Sequence, residues 1–239
     1  MEINKNNSLN DLQQFKYELL QWCGRVADAA EAYQFIMGES EEAQTARAVQ
    51  LPHNCLKDGV YFVIEGQAPI KFEGGKTVLP NDAHTEAVGL VMGEFSIRIA
   101  LQDEADGKKI SLTSVNSGDD PKYDAPYYIE SHEDAVAVMD GGIGTKHLKP
   151  ILNKRIMLQR GWYIPSLGEM YRIFINLKEI NAALDFVGGE PLHRDQYWTS
   201  TEGSATYAWN LGLSDGSAIS WTTKASYTSR VRAVSAFIS

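Results

Sequence analysis

The ionisable side chains that could support acid–base chemistry are scattered along this sequence. His132, His147 and His193 lie in separate predicted loops or turns, so no Ser-His-Asp arrangement is evident. Glu202 follows a strand-like run, and no partner acid or base lies near it in sequence. We interpret Glu202 as a buried or capping acceptor that holds the loop after it. The sequence therefore predicts a protein that is not an enzyme.

The sequence signals for a metal site or a phosphate site are weak as well. Cys23 and Cys55 fall in no CxxC or metal-ligand spacing, and burial as free thiols is favoured over a disulfide. The segment DGGIGT at 140–145 could cradle a phosphate, but no strong strand precedes it and the Lys-Ser/Thr ending of a P-loop is missing. We expect a simple turn there, and neither a metal nor a cofactor.

The segment 203–229 carries residues suited to recognition rather than to reaction. It is dominated by Ser, Thr, Ala and Gly, with Tyr207, Trp221 and Tyr227 among them, and only Asp215 and Lys224 carry charge. Tyr supplies contact area at a small entropy cost, while Ser, Thr and Gly adapt to a partner. A polar solvated loop would have a similar composition, so composition alone leaves both interpretations open.

The elements that must position this segment form an α+β pattern. Short apolar runs predict strands at 60–64, 87–92 and 95–101, with a hairpin turn at Gly93-Glu94. Further strands are predicted at 197–200, 208–213, 218–221 and 230–238. Helices are predicted at 132–139, 145–157, 166–177 and 180–186, and Ser166 with Glu169 forms a capping box. A polar stretch at 116–126 predicts a surface loop.

Residues 1–50 have a different pattern. Apolar residues recur at three- and four-residue steps from 9 to 37, which predicts an amphipathic helix too short to be a domain. We expect a helical attachment or oligomerisation segment, although packing on the chain's own domain fits the periodicity equally well.

Charge and hydropathy limit the possible partners. The 239-residue chain has a net charge of −9 and a pI near 5.1, which disfavours nucleic acid and anionic membranes as partners. No apolar run approaches the roughly 18–20 residues that span a bilayer, so membrane insertion is not expected. The N-terminus shows no apolar signal-peptide core. The chain is therefore expected to be cytosolic or to reach the outside by assembly, as virion proteins do.

Four blocks over the last eighty or so residues resemble one family. GWYIPS at 161–166 with Glu169, YWTSTE at 197–202, AWN at 208–210 followed by Asp215-Gly216, and RVRAVSAF at 230–237 occur in the family's order. The family is that of C-type-lectin-like domains related to formylglycine-generating enzyme and to the C-terminal domain of collagen-like adhesins. The resemblance implies a C-type-lectin-like α+β domain over 55–239, after the helical N-terminal segment. Trp162, Trp198 and Trp209 are expected to be structural.

A narrower resemblance covers 87–103 and 140–145. These segments are similar to phage and phage-like surface proteins of gut Bacteroidales, including the variable proteins of diversity-generating retroelements. In that group, variation falls on codons with adenine at the first two positions, and 203–229 consists almost wholly of residue types that such codons can produce. Trp209, Trp221 and Lys224 are exceptions and are expected to be fixed, although an exposed Trp at 221 would also suit binding.

The resemblance implies a receptor-binding protein of a phage tail or bacterial surface, most often a homotrimer. The expected partner is a host cell-surface protein or glycan, bound through a variable surface at 203–229. The residues expected to touch it are Ser204, Thr206, Tyr207, Asn210, Gly212, Ser214, Asp215, Ser217, Ile219, Trp221, Thr222, Thr223, Ser226 and Tyr227.

Alternatives from other functional classes remain at this stage. The chain could be a structural tail or baseplate component without ligand diversity. A formylglycine-generating activity is less favoured, because that chemistry uses cysteines in the C-terminal core and this chain has none after Cys55. Glu190-Pro191-Leu192 distantly resembles the Glu-Pro-Asn of calcium lectins, but Leu192 cannot ligate a cation.

Overall fold

A computed structural model describes residues 56–116 and 128–237 of the chain. The chain forms two compact units, of which the smaller includes Val91–Ser96 and the larger comprises Gly59–Leu90 and Ile97–Phe237. All the sites described below lie in the larger unit. The predicted helical segment 1–50, both cysteines and most of the predicted loop 116–126 lie outside the described residues.

The described residues form nine strands, and most of the sequence-predicted strands are found among them. In chain order these strands are β1 (Gly59–Ile64), β2 (Ile70–Lys71), β3 (Thr85–Met92), β4 (Phe95–Ala100), β5 (Trp162–Tyr163), β6 (Gln196–Glu202), β7 (Tyr207–Gly212), β8 (Ala218–Thr223) and β9 (Val234–Ala236). They build a six-stranded sheet in the order β2-β1-β3-β4-β9-β5 and a three-stranded sheet in the order β6-β7-β8.

Four α-helices accompany the strands in the part of the chain that the structure describes. They are α1 (His132–Ala137), α2 (Gly141–Leu148), α3 (Leu167–Ile175) and α4 (Leu177–Phe186). The predicted capping box at the start of α3 is confirmed. The Ser166 hydroxyl accepts from the Glu169 amide, and the Glu169 carboxylate accepts from the Ser166 amide at 2.7 Å.

The chain is thus of mixed α and β structure with antiparallel sheets, as an α+β fold requires. The finer prediction of a C-type-lectin-like fold stays a prediction. None of the described helices is both long enough and apolar enough to cross a bilayer.

Two local predictions were wrong. The expected glycine-rich turn at 140–145 is the first part of α2, which ends at Leu148 instead of extending to 157. Asp140 begins the helix by accepting from the Gly142 amide at 2.9 Å. Gly144 lies so close to the carbonyl oxygen of Ser200 that a Cβ would collide with it, so the glycine serves packing. The expected strand at 230–238 is reduced to the three residues of β9.

A buried cluster lies against one face of the three-stranded sheet. It brings Trp198, Ala208 and Val231 together with Leu112, Leu148 and Ile151, which come from distant parts of the chain. The indole of Trp198 is fully buried and donates to the carbonyl of Ile110 at 2.9 Å, so its polar atom is satisfied. The prediction that Trp198 and Trp209 are structural is confirmed by their burial, whereas Trp162 is only half-buried.

Candidate ligand-binding surface

The three-stranded sheet has two faces with different roles. Directly opposed residues on neighbouring antiparallel strands point to the same face. Trp198 opposes Asn210, and Ala208 opposes Thr222, and all four are buried. We name this side the inner face. The alternation of a strand places Tyr207 and Trp209 on the other side, which we name the outer face.

The outer face ends in an exposed pair of aromatic side chains. Tyr207 opposes Thr223 in the register of β7 and β8. The register shifts between the pairs Ala208–Thr222 and Asn210–Ile219. One residue of β7, Trp209, lies between these pairs, whereas β8 has two there, Ser220 and Trp221. Both of these residues therefore oppose Trp209. This is a β-bulge, a feature that redirects a side chain. Trp221 is 69% exposed and Tyr207 is 38% exposed. We name Tyr207, Trp221 and Thr223 the aromatic surface.

A buried ion pair fixes the backbone next to this surface. Lys224, which follows Thr223, donates to the carboxylate of Glu202 and to the carbonyl of Ser204 at 3.1 Å. Neither side chain of the pair is more than 1% exposed. Burial lowers the pKa of Lys224, and the Glu202 carboxylate opposes that effect. The interpretation of Glu202 as a buried acceptor that holds the following loop is confirmed.

The turn between β6 and β7 is equally well held. The amides of Gly203 and Ser204 donate to the carbonyl of Tyr207 at 3.0 and 3.1 Å, and the Lys224 amide donates to the carbonyl of Thr206 at 3.0 Å. The Ser204 hydroxyl accepts from the amides of Thr206 and Tyr207. The backbone that carries Tyr207 is therefore hydrogen-bonded at nearly every step, and the aromatic surface rests on a defined scaffold.

The third exposed aromatic residue lies elsewhere. The Tyr227 ring meets the Trp198 ring edge to face, with centroids 6.2 Å apart and planes at 89°. Because Trp198 belongs to the inner face, Tyr227 packs from the opposite side of the sheet to Tyr207. Tyr227 is 48% exposed. The structure thus unites Tyr207 and Trp221 and separates Tyr227 from them.

The turn between β7 and β8 is also apart from the aromatic surface. Ser214, Asp215 and Ser217 are exposed there, and the Asp215 carboxylate accepts from the amide and hydroxyl of Ser217 at 3.0 and 2.8 Å. These hydrogen bonds from Ser217 lower the pKa of Asp215. Gly212, the last residue of β7, is five residues along the strand from Tyr207, so this turn begins about 17 Å from Tyr207 at about 3.4 Å per residue.

Three of the predicted binding residues belong to the scaffold instead. Asn210 is fully buried on the inner face, where its amide nitrogen donates to the Ser229 hydroxyl at 3.4 Å. Thr222 is buried beside Ala208. Gly212 is buried, and a Cβ there would lie 2.9 Å from the Gln196 amide nitrogen. Buried side chains cannot meet a partner, so the prediction was wrong for these positions.

The remaining predicted binding residues are neither exposed aromatic side chains nor fully buried ones. Ile219 is half-buried and shares the face of Asn210, which it opposes. Thr206 and Thr223 are half-buried, whereas Ser226 is exposed and its hydroxyl lies 2.8 Å from that of Thr223. Ser204 is half-buried and is engaged in the turn, as described above. Of these, Thr223 belongs to the aromatic surface by its register.

The sequence alone did not reveal the role of His132. This exposed residue of α1 has its ring centroid 5.8 Å from that of Trp209, so it borders the outer face. Its Nε2 lies 3.2 Å from the Tyr171 hydroxyl, which donates to the carbonyl of Gly216. No local pattern links a histidine at 132 to a strand at 207–212, because the contact depends on tertiary packing.

A cluster of possible metal ligands lies in another part of the unit. Ligand atoms of Asp103, Glu190 and His193 all lie within 4.8 Å of one another. The Asp103 carboxylate, however, accepts from Arg232 at 2.6 Å and from Arg230 at 3.2 Å. These two guanidinium groups already supply the positive charge that a cation would bring. We interpret the cluster as an ion-pair network that holds β9 and its preceding segment.

No family model, no curated protein and no solved structure matches this chain. The functional assignment therefore rests on the geometry of the outer face and on the chemistry of its side chains.

Proposed function

We propose that this chain is a binding protein whose outer face contacts a host cell-surface protein or glycan. The observation that carries the proposal is the exposure of Trp221 and Tyr207 on one face of two paired strands, next to a turn held by several backbone hydrogen bonds. Exposed Trp and Tyr side chains dominate the energetics of many interfaces. Exposed apolar side chains that lie next to one another form a patch, and such patches mark interaction sites on protein surfaces.

The chemistry of the aromatic surface favours recognition without ion pairing. Tyr207, Trp221 and Thr223 offer ring faces and hydroxyl groups, and there is no acidic or basic residue among them. Two aromatic side chains on a rigid strand pair lose little conformational entropy on binding. Because Lys224 and Glu202 neutralise each other beneath the turn, they add no net charge to the contact.

The finer proposal is a C-type-lectin-like receptor-binding protein of a phage tail or bacterial surface, with a variable surface. Its support is the distribution of burial in 203–229. Trp209 and Lys224, which are expected not to vary, are buried, whereas Tyr207, Ser214, Ser217 and Ser226 are exposed. Trp221 departs from this distribution because it is exposed, and Asn210 and Thr222 depart from it because they are buried. A homotrimer would strengthen a weak single site through avidity. A near-copy of the 3′ coding end beside a reverse transcriptase gene would favour diversification over a fixed adhesin.

The test compares binding by matched alanine variants of the full chain. Fluorescently labelled protein is applied to a panel of gut Bacteroidales cells and read by flow cytometry. We expect the double variant Tyr207→Ala, Trp221→Ala to lose about 30-fold or more in affinity, the loss typical of a hot spot. The variant Tyr227→Ala tests whether the inner side also takes part.

The control removes exposed apolar side chains far from the aromatic surface in sequence. Val78, Met157 and Ile175 are 82%, 76% and 60% exposed, and their triple alanine variant should bind as the original protein does. Equal binding by the double variant and the control would contradict the proposal. That result would favour a structural tail or baseplate component.

A further inference from the structure

A pocket beside the outer face has no role in the function proposed above. It has a volume of about 380 Å³ and is lined mainly by Ile129, Val138, Met139 and Ile143, with Ser200 at its wall and Asp140 among its polar groups. The volume falls at the small end of the roughly 300–1,000 Å³ typical of ligand sites. Ile143 is 53% exposed, so its side chain is accessible to a ligand at the edge of the pocket.

The pocket is tied directly to the outer face. The carbonyl of Ile129 accepts from the indole nitrogen of Trp209 at 2.8 Å, and the Ile129 amide donates to the carbonyl of Glu202 at 2.8 Å. Ile129, in the wall of the pocket, is therefore hydrogen-bonded both to β7, which bears Tyr207, and to β6. A partner lying on the aromatic surface would have this pocket within its reach.

The charge around the pocket favours a cation. Asp140 is exposed, and one oxygen of its carboxylate caps α2 through the Gly142 amide. Within residues 56–116 and 128–237 no cationic group forms an ion pair with it. Glu130, Glu133 and Asp134 are exposed on the adjoining segment and add further negative charge. Lys146 lies one turn beyond Ile143, toward the C-terminal end of α2, and is not among the lining residues.

We propose that this pocket binds the side chain of a lysine presented by a protein partner. The four methylene groups would lie against Ile143, Val138 and Met139, and the ammonium group would meet the carboxylate of Asp140. Lysine buries its stem along apolar surface while its head stays at the wet edge, which matches an apolar pocket with an acidic rim. The site is built from residues outside 203–229, so it is fixed while the neighbouring surface is free to differ.

The test is a titration of the isotope-labelled full chain followed by amide chemical shifts. The probe is Nα-acetyl-lysine methylamide, and the matched control is the norleucine analogue, which has a similar stem and no ammonium group. We expect saturable shifts at Ile129 and at Gly142–Gly144, and about three-fold weaker binding of the norleucine analogue, because an exposed ion pair contributes modestly.

Two variants separate the contributions of charge and apolar contact. Asp140→Asn keeps a residue that caps helices well, so α2 should remain intact. It should weaken the lysine probe about three-fold and leave the norleucine analogue unchanged. Ile143→Ser should weaken both probes. Because Ile143 is already half exposed, this second variant stays informative if the first one folds poorly.

Specific outcomes would overturn the proposal. The proposal would be contradicted by chemical-shift changes spread over residues outside the pocket, or by equal affinity for the lysine probe and the norleucine analogue. It would also be contradicted if Asp140→Asn weakened the two probes equally. The variant Tyr207→Ala, Trp221→Ala should bind the lysine probe normally. The cell-binding result for this variant therefore tests the aromatic surface, and its affinity for the lysine probe tests the pocket. The two proposals can fail independently of each other.

Discussion

Two buried carboxylates in this unit are neutralised in different ways. Within the described residues Glu202 forms an ion pair with Lys224, and both side chains are sealed from solvent. Asp103 accepts from Arg232, Arg230 and the Tyr197 hydroxyl. Its network continues outward, since Arg230 also reaches Glu190 and Asp195, and these are partly exposed.

The difference concerns what happens when a partner is lost. In the pair of Glu202 and Lys224, which we name the closed pair, both charges are shielded from water, so removal of either member leaves a charge in a medium that solvates it poorly. The network of Asp103 with Arg230 and Arg232, which we name the open network, extends to partly exposed groups. It can therefore redistribute its hydrogen bonds, admit water and titrate. The closed pair lies next to the aromatic surface and holds the turn after β6, and the open network lies around the segment before β9.

The largest effect is expected from breaking the closed pair. Lys224→Met keeps the length of the side chain and removes its charge, which takes from the buried Glu202 carboxylate the ammonium group of Lys224. We expect a loss of about 3–5 kcal/mol in the free energy of unfolding, measured by urea denaturation. The double variant Lys224→Met, Glu202→Gln should recover much of this loss. A single variant as stable as the original protein would show that the pair is not closed.

A smaller loss is expected from the open network. Arg230→Ala removes one cation from Asp103, but Arg232 and the Tyr197 hydroxyl remain in place at 2.6 and 3.0 Å. We expect a loss of about 1 kcal/mol by the same urea measurement, because most partners of Arg230 are partly exposed. A loss as large as that of Lys224→Met would remove the distinction between the two networks.

The open network should also respond to acid. Partial burial raises the pKa of Asp195, but hydrogen bonds and charges from Lys109 and Arg230 outweigh it and lower the pKa overall. The folded state therefore releases its proton more readily than the unfolded state. The stabilisation is complete above the ordinary pKa, near 4, and is lost as the pH falls below it. Unfolding curves between pH 3 and 6 should show a shallower dependence in Asp195→Asn than in the original protein.

The smallest effect on stability is expected at the aromatic surface. Trp221→Ala should change the free energy of unfolding by no more than about 0.5 kcal/mol, because the side chain is mostly exposed. Combined with Lys224→Met, its effect should be additive within a few tenths of a kcal/mol. Strong coupling between the two would mean that the surface and the closed pair are not independent.

Much of the fold follows from local sequence patterns. Alternation and short apolar runs predict β1, β3, β4 and the three-stranded sheet. They do so because burial of one or both faces of a strand produces a recognisable pattern of apolar residues in the sequence. The capping box at Ser166 and Glu169 is likewise a local signal. The start of α2 is not, because its glycines are required by contacts with Ile164 and Ser200, which are remote in sequence.

The site was predictable only in part for a similar reason. The composition of 203–229 indicates the right segment but not which side chains point outward. Asn210 is a polar residue that the sheet buries, and its partner Ser229 lies nineteen positions away. The bulge at Ser220 and Trp221 depends on pairing between strands and not on the sequence of β8 alone, so the register of this edge could not be predicted.

The same bulge bears on how copies of the chain behave in concentrated solution. In the described part of the chain, β8 is the last strand of its sheet and presents an edge to which another chain could add. The extra residue at Ser220 and Trp221 twists that edge and breaks the regular spacing of its amides and carbonyls. A protein that displays tryptophan openly thereby carries its own protection against strand-by-strand aggregation.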